Sequence, residues 1–190
     1  MDLIPTPSQT VGPYFHLGLT GGRSVARVAG EATKGERIAL TFRVLDGDGA
    51  PINDAMIEIW QANAAGKYRH PDDPQTAPIE DDFWGFGRLA TAEDGRCQFE
   101  TIKPGRVPDS RGVLQAPHIN VTVFARGLLR HLCTRVYFAD DPANRQDPVL
   151  ALVSEERRAT LLLHPDPGRA GHWLFDVHLQ GERETVFFDV

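Results

Sequence analysis

A histidine and an asparagine stand among apolar residues in residues 115–124, a segment whose pattern is typical of a β-strand. Side chains on a strand alternate between its two faces, so His118 and Asn120 point in the same direction. Two histidines at this spacing would offer two imidazoles to one metal ion. Here an amide stands where the second imidazole would be, and the pattern therefore indicates an incomplete metal site.

A tyrosine upstream supplies the other side chain with metal-binding chemistry. Tyr68 follows a glycine-containing bend in residues 65–70. A bound cation stabilises a phenolate and lowers its pKa, so a tyrosinate can serve as a metal ligand. Without a family resemblance, structural roles explain both residues better. Tyr68 would then hydrogen-bond within the bend, and His118 would be a satisfied polar residue at a strand start.

Strands must position these side chains, because the dominant hydrophobic period along the chain is two. Apolar and polar residues alternate in residues 38–45, 96–101 and 172–179. About eight such runs predict an all-β protein, a two-sheet β-sandwich with little helix. The only helical pattern lies near residues 148–152 and 154–158.

The chain shows no internal linker, so residues 1–190 are predicted to form one domain. Residues 5–15 contain three prolines, which fix φ and remove backbone donors. Residues 1–20 are therefore predicted to be an extended arm. The pattern alone favours packing of this arm on its own domain, whereas the family resemblance described below implies that the arm contributes to a subunit interface.

Composition excludes several function classes. The net charge of −6 argues against a nucleic-acid partner, because no basic stripe offsets the acidic excess. No apolar run approaches the ~20 residues of a membrane helix, and the first residues lack the pattern of a signal peptide. Cys97 and Cys133 lie in strand-like runs, which favours buried free thiols in a reducing compartment. The expected location is the cytoplasm.

Two segments, residues 57–70 and 115–124, together resemble the intradiol ring-cleavage dioxygenases. These enzymes hold a non-haem ferric ion with two tyrosinates and two histidines. Further similarity lies in residues 7–14, 86–88, 101–105, 134–138 and 180–189, so the resemblance covers nearly the whole chain. Within the family, the chain is most similar to the alpha chain of two-chain members, which lacks a complete iron site. The family fold is a β-sandwich, in agreement with the period-two pattern.

The resemblance implies that only two of four iron-ligand positions are retained. Tyr68 and His118 match one tyrosinate and one histidine position, whereas Val107 and Asn120 stand at the other two. Gln115 also replaces a basic residue that active members carry before the histidine pair. No functional metal site is therefore expected in this chain. The cofactor Fe³⁺ is expected on a partner beta chain.

The resemblance also implies how this chain contributes to a shared pocket. It places Thr10, Gly12, Pro13 and Tyr14 of the arm, and Arg126 after the strand, against an aromatic substrate. The implied reaction is O₂-dependent cleavage of protocatechuate between its hydroxyls, giving 3-carboxy-cis,cis-muconate. A phenol and a guanidinium suit the substrate carboxylate through charge-assisted hydrogen bonds. The implied assembly is a hetero-oligomer of repeated alpha–beta units.

Two other hypotheses remain open at this point. The chain is a self-sufficient metalloenzyme if Tyr68 and His118 are joined by a substitute ligand such as His70, His131 or Asn120. Alternatively, it is a non-catalytic β-sandwich that binds a partner protein or an aromatic ligand.

Overall fold

Eight β-strands carry most of the regular structure in residues 16–189, the part of the chain that the computed structural model describes. They are β1 (Arg37–Leu45), β2 (Met56–Trp60), β3 (Phe86–Ala90), β4 (Arg96–Ile102), β5 (His118–Phe124), β6 (Leu132–Phe138), β7 (Leu162–Pro165) and β8 (His172–His178). The predicted strands correspond to β1, β4, β5 and β8, so the period-two interpretation is confirmed.

The strands form a single hydrogen-bonded order, β3-β2-β5-β6-β7-β8-β1-β4. Most neighbours are antiparallel, but β1 runs parallel to β8 and β6 runs parallel to β7. The all-β class with little helix is confirmed. The division into two sheets stays a prediction, because β7 links the two halves: its first two residues pair with β6 and its last two pair with β8.

Residues 25–29 cover the two strands that end this order. Val25 bridges to Arg88 on β3, and Arg27 bridges to Glu100 on β4. Backbone hydrogen bonds from Val25 to Arg88 and from Val28 to Glu100, each 2.8 Å, hold the segment in place. The segment thus satisfies backbone groups on both edge strands, which would otherwise offer templates for aggregation.

The core is built from residues of both halves of the strand order. Alternate residues of β1 are buried, and Phe42 is the aromatic centre of this row. Its ring centroid lies 5.9 Å from both Phe99 on β4 and Phe175 on β8, in edge-to-face geometry. The same cluster includes Ile57 of β2 and Val121 of β5, so it joins both halves. Burying each of these phenylalanines contributes about 1.5–3 kcal/mol.

Helical segments are short. A π-helix spans His16–Thr20, and 3₁₀-helices span Pro142–Gln146, Leu150–Leu152 and Glu155–Leu161. The helices expected near residues 148–152 and 154–158 are confirmed, although they are 3₁₀-helices. Within residues 16–189, no helix has the length and apolar character needed to cross a membrane. Residues 16–20 of the predicted arm form the π-helix, and residues 1–15 lie outside the described part.

Both cysteines have free thiols, as expected. Cys97 is buried and Cys133 is half-buried. Burial raises the pKa of the Cys97 thiol to about 12, so this side chain is an inert apolar group at neutral pH.

Candidate functional site

Three adjacent strands place three polar or aromatic side chains next to each other. Trp60 on β2 is the Cα partner of Asn120 on β5, and Asn120 is the partner of Arg135 on β6. The residue after Asn120, Val121, belongs to the core cluster, so Asn120 points to the opposite face. His118 shares that face and is only 2% exposed.

The bend after β2 carries Tyr68 onto the same face. Gly66 takes a positive φ of 79°, and its amide donates to the carbonyl of Asn63 at 3.0 Å. The side-chain oxygen of Asn63 accepts from two other backbone amides of the bend, each at 3.0 Å. The Tyr68 amide donates to Asp73 at 2.7 Å, and its ring stacks on Trp60 with centroids 5.8 Å apart. These contacts fix the phenol oxygen near His118.

Tyr68 and His118 belong to one directed chain of hydrogen bonds. Nδ1 of His118 lies 2.8 Å from the carbonyl oxygen of Ala116, which can only accept, so Nδ1 carries the proton. Nε2 of His118 therefore accepts from the Tyr68 hydroxyl at 3.2 Å. Asn120 Nδ2 donates to the same phenol oxygen at 3.2 Å, and Arg135 Nε donates to Asn120 Oδ1 at 2.9 Å. The hydrogen bonds thus run from Arg135 through Asn120 and Tyr68 to His118, and end at the carbonyl of Ala116.

Burial keeps the tyrosine and the histidine uncharged. Desolvation, with a smaller contribution from the positive charge of Arg135, lowers the pKa of His118 from 6.5 to about 4. Burial raises the pKa of Tyr68, against smaller opposing contributions from Asn120 and Arg135. At neutral pH Tyr68 and His118 therefore present a phenol and a neutral imidazole.

The four positions matched to iron ligands come together, but their donor atoms do not fit a ferric ion. Val107 lines the same cavity as Tyr68 and has no ligand atom. The Nε2 lone pair of His118 accepts a hydrogen bond from the Tyr68 hydroxyl, and the amide of Asn120 is a weak metal ligand. Ferric iron instead favours anionic oxygen ligands. Among residues 16–189, no three His, Cys, Asp or Glu side chains form a group able to hold a metal.

A cavity of about 630 Å³ opens beside this hydrogen-bond chain. Its walls combine aromatic, amide, basic and acidic groups, including Trp60, Tyr68, His70, Asp72, Asp73, Val107, Asp109, Gln115 and Arg135. Arg135 Nη1 donates to Gln115 Oε1 at 2.5 Å. A guanidinium from β6 therefore contacts the glutamine that the family resemblance matches to a basic position.

The structure places Arg126 away from these residues. It follows the far end of β5, eight residues after His118, a separation of about 26 Å along an extended strand. Its side chain is 77% exposed, and Nε pairs with Asp54 Oδ2 at 2.9 Å. The predicted arm residues Thr10, Gly12, Pro13 and Tyr14 lie outside the described part of the chain.

The two substitute histidines considered for a self-sufficient site lie in different places. His70 lines the cavity beside Tyr68, where its Nδ1 accepts from the Asp72 amide at 3.2 Å. His131 packs its ring against Phe124 at the other end of β5, with centroids 5.4 Å apart. The structure therefore brings His70, but not His131, to the site.

Two residues that shape the site, Arg135 and Asp147, are not predicted from the sequence. Arg135 becomes visible only when the register of β5 and β6 is known, because fifteen positions separate it from Asn120. Asp147 is 1% exposed, and its carboxylate accepts from the amide of Ala116 at 2.7 Å and from the hydroxyl of Tyr137 at 3.1 Å. An aspartate just before a proline, at the start of the predicted helix, was the available signal for a capping role.

Proteins with sequences similar to this chain are dioxygenases. The family model described as dioxygenase matches residues 10–181. The protocatechuate 3,4-dioxygenase alpha chain of Burkholderia cepacia is 46% identical, with 99% of this chain and 98% of the relative covered. The alpha chain from Pseudomonas putida is 42% identical over 100% of this chain and 98% of its own length. The beta chain from Burkholderia cepacia is 39% identical, covering 80% of this chain and 67% of the relative.

Solved structures show the same architecture. The dioxygenase domain of a carbohydrate-binding fusion protein from Streptomyces sp. SirexAA-E is 26% identical with a TM-score of 0.63, covering 94% of this chain and 99% of the domain. The 3-chlorocatechol 1,2-dioxygenase of Rhodococcus opacus 1CP shares the fold, with a TM-score of 0.65 at 21% identity, over 94% of this chain and 68% of that one. The chain therefore belongs to the intradiol ring-cleavage dioxygenases, an iron-dependent family.

Proposed function

We propose that this chain is the alpha chain of a protocatechuate 3,4-dioxygenase. The observation that carries the proposal is the identity to two alpha chains over nearly their full length. The site geometry supports it, because the retained Tyr68 and His118 are hydrogen bonded to each other. The reaction is the O₂-dependent cleavage of protocatechuate between its two hydroxyls, which gives 3-carboxy-cis,cis-muconate.

The partner in this proposal is the protocatechuate 3,4-dioxygenase beta chain, and Fe³⁺ is held there. Iron bound on that chain supplies Lewis acidity and access to the electrons of the substrate. The residues of the present chain bind and orient the substrate and exclude water. The proposed assembly is a hetero-oligomer of repeated alpha–beta units.

The substrate wall contributed by this chain consists of Thr10, Gly12, Pro13, Tyr14 and Arg126. Support for Arg126 comes from its exposed position and from its chemistry. Its guanidinium pairs through Nε with the carboxylate of Asp54 at 2.9 Å, and a guanidinium makes the same charge-assisted contact with a substrate carboxylate. Asp54 Oδ1 is buried and has no partner among the described residues, so this aspartate does not use its full hydrogen-bonding capacity.

Three further features belong to the proposal. Residues 1–190 act as one domain, with residues 1–20 as the arm at the alpha–beta interface. The strand order folds as two packed layers, which is supported by a core cluster that joins both halves. The location is cytoplasmic, and the free thiols of Cys97 and Cys133 support it.

Metal analysis and activity, with and without the partner, test the function. The chain produced alone is expected to hold negligible iron, to show no visible tyrosinate-to-iron absorption and to consume no O₂ with protocatechuate. Co-production with a beta chain is expected to give a coloured complex that forms 3-carboxy-cis,cis-muconate. Stoichiometric iron and turnover in the isolated chain would contradict the proposal. No stimulated ring cleavage with any suitable beta chain would contradict it as well.

A further inference from the structure

We propose that Arg135 excludes ferric iron from this site, separately from the loss of the two ligand side chains. The proposal starts from two contacts of its guanidinium. Nε donates to Asn120 Oδ1 at 2.9 Å, and Nη1 donates to Gln115 Oε1 at 2.5 Å. Asn120 occupies one iron-ligand position itself, so a permanent positive charge lies directly behind that position.

The first reason for exclusion is electrostatic. The two acceptors of Arg135 are neutral amides, which do not neutralise its charge. A trivalent cation at this site would meet a guanidinium that is hydrogen bonded to the ligand position itself, whereas the basic residue of active family members stands before the histidine pair.

The second reason is the polarity of the hydrogen bonds, and it is specific to this geometry. A histidine that binds a metal through Nε2 keeps its proton on Nδ1 and needs an acceptor there. Arg135 carries only donors. If Asn120→His were made alone, the new imidazole would therefore face N–H groups of Arg135 on its second nitrogen. If that histidine bound a metal through Nε2, its Nδ1–H would face an N–H group of Arg135, and neither donor would have an acceptor.

Asn120 is compatible with Arg135 because an amide has two different ends. Its oxygen accepts from Arg135, while its nitrogen donates to the phenol oxygen of Tyr68 at 3.2 Å. That phenol oxygen is the atom that a ferric ion would need. Asn120 and Arg135 thus act together, and restoring the missing ligands without changing Arg135 does not restore the site.

The cavity allows a direct reconstruction. Val107 lines the 630 Å³ space in front of Tyr68, so Val107→Tyr has room for the larger ring. Three variants are compared: V107Y/N120H, V107Y/N120H/R135Q and V107Y/N120H/R135K. Gln supplies the acceptor and removes the charge, whereas Lys keeps the charge and donors and serves as the matched control. Circular dichroism and the urea midpoint establish that each variant is folded.

The measurement is iron per chain after incubation with ferric iron, together with the visible tyrosinate-to-iron absorption. We expect at least tenfold higher iron affinity and a visible band in V107Y/N120H/R135Q. The double variant and the R135K triple variant should both remain nearly colourless. Stoichiometric iron in V107Y/N120H would overturn the proposal, and so would equal affinities of the folded R135Q and R135K triple variants.

A second comparison avoids the change at position 107. N120H and N120H/R135Q are titrated with Co²⁺, and the absorption of the bound ion is followed. We expect at least tenfold tighter Co²⁺ binding when R135Q is present. Equal Co²⁺ affinities in the two variants would overturn the proposal even if Val107→Tyr prevents folding. Neither comparison requires the beta chain, so the outcome is independent of the proposed function.

Discussion

The hydroxyl of Tyr68 donates to Nε2 of His118 across 3.2 Å, so the two side chains that the family resemblance matches to iron-ligand positions bind each other. The carbonyl of Ala116 fixes the histidine tautomer that makes this bond possible. Asn120 then donates to the phenol oxygen. These groups satisfy one another's hydrogen-bonding capacity, so a bound cation would have to break hydrogen bonds already formed. The hydrogen bonds stabilise the fold instead.

The neutral state of His118 predicts a loss of stability in acid. The folded pKa is about 4 and the unfolded value is 6.5, so between these values the unfolded chain binds a proton that the folded chain does not. The contribution is fully present above pH 6.5, falls as the pH decreases, and is lost below about pH 4. Its full size is about 3 kcal/mol.

Urea unfolding of the wild type and His118→Gln at several pH values measures this effect. The difference in unfolding free energy between the two proteins should shrink by about 3 kcal/mol from pH 7 to pH 4. His131→Gln is the matched control, because His131 packs on Phe124 at the other end of β5. A constant difference between wild type and His118→Gln across this range would show that His118 is not held neutral.

Replacing Asp147 is predicted to destabilise the fold, because its carboxylate is buried and accepts four hydrogen bonds. Three are from the amides of Ala116, Val149 and Leu150, and one is from the hydroxyl of Tyr137. Asp147→Asn turns one acceptor into a donor opposite N–H groups, which costs about 3 kcal/mol, whereas Tyr137→Phe removes one bond and costs about 1 kcal/mol. Chemical denaturation of both variants tests this order, and an Asn variant as stable as the wild type contradicts it.

A side chain at position 66 is predicted to cause a steric clash. Gly49 serves as the control, because a side chain there causes backbone strain alone. Gly66 and Gly49 have nearly equal positive φ angles, 79° and 81°. A Cβ at Gly66 would collide with the carbonyl oxygen of Arg106, while a Cβ at Gly49 meets nothing within 4 Å. We expect Gly49→Ala to cost about 1 kcal/mol, the strain alone, and Gly66→Ala clearly more. If the two variants have equal unfolding free energies, the carbonyl of Arg106 does not sterically restrict the bend before Tyr68.

Much of the fold is predictable from the sequence because a strand records its buried face at every second residue. The alternation in residues 38–45 predicts β1 with its inward row, and Phe42 is completely buried. The same logic puts His118 and Asn120 on one face of β5. Their meeting with Tyr68 was expected from the family resemblance, since no local pattern relates a bend to a strand fifty residues later.

The rest of the site depends on the register between strands, which the sequence does not state. Arg135 reaches Asn120 only because β5 and β6 pair in one particular alignment. The continuous strand order arises in a similar way, since the four-residue strand β7 connects the two halves. A strand this short leaves almost no alternation to recognise. Side chains that meet across strands are therefore the part that sequence reasoning misses.

Replacing Arg126 is predicted to weaken the use of protocatechuate by the complex with a beta chain. If its guanidinium binds the carboxylate of protocatechuate, Arg126→Ala removes a charge-assisted hydrogen bond worth about 1.5–3 kcal/mol. KM for protocatechuate should then rise about 10- to 100-fold, or kcat should fall, while the iron content stays unchanged. Steady-state kinetics and metal analysis of the purified complex measure both quantities.

The control for Arg126 is a nearby arginine outside the proposed wall. Arg130 is also exposed, and its Nη1 lies 3.7 Å from Asp189 Oδ1, so Arg130→Ala removes the same charge and should leave the kinetics unchanged. Catechol, which lacks the carboxylate, separates binding of that group from a general disturbance of the interface. Turnover of catechol by Arg126→Ala should match the wild type, because the lost contact is made only with a carboxylate. If protocatechuate kinetics are unchanged, or if both substrates are affected equally, Arg126 does not bind the substrate carboxylate and its exposed side chain serves only the pair with Asp54.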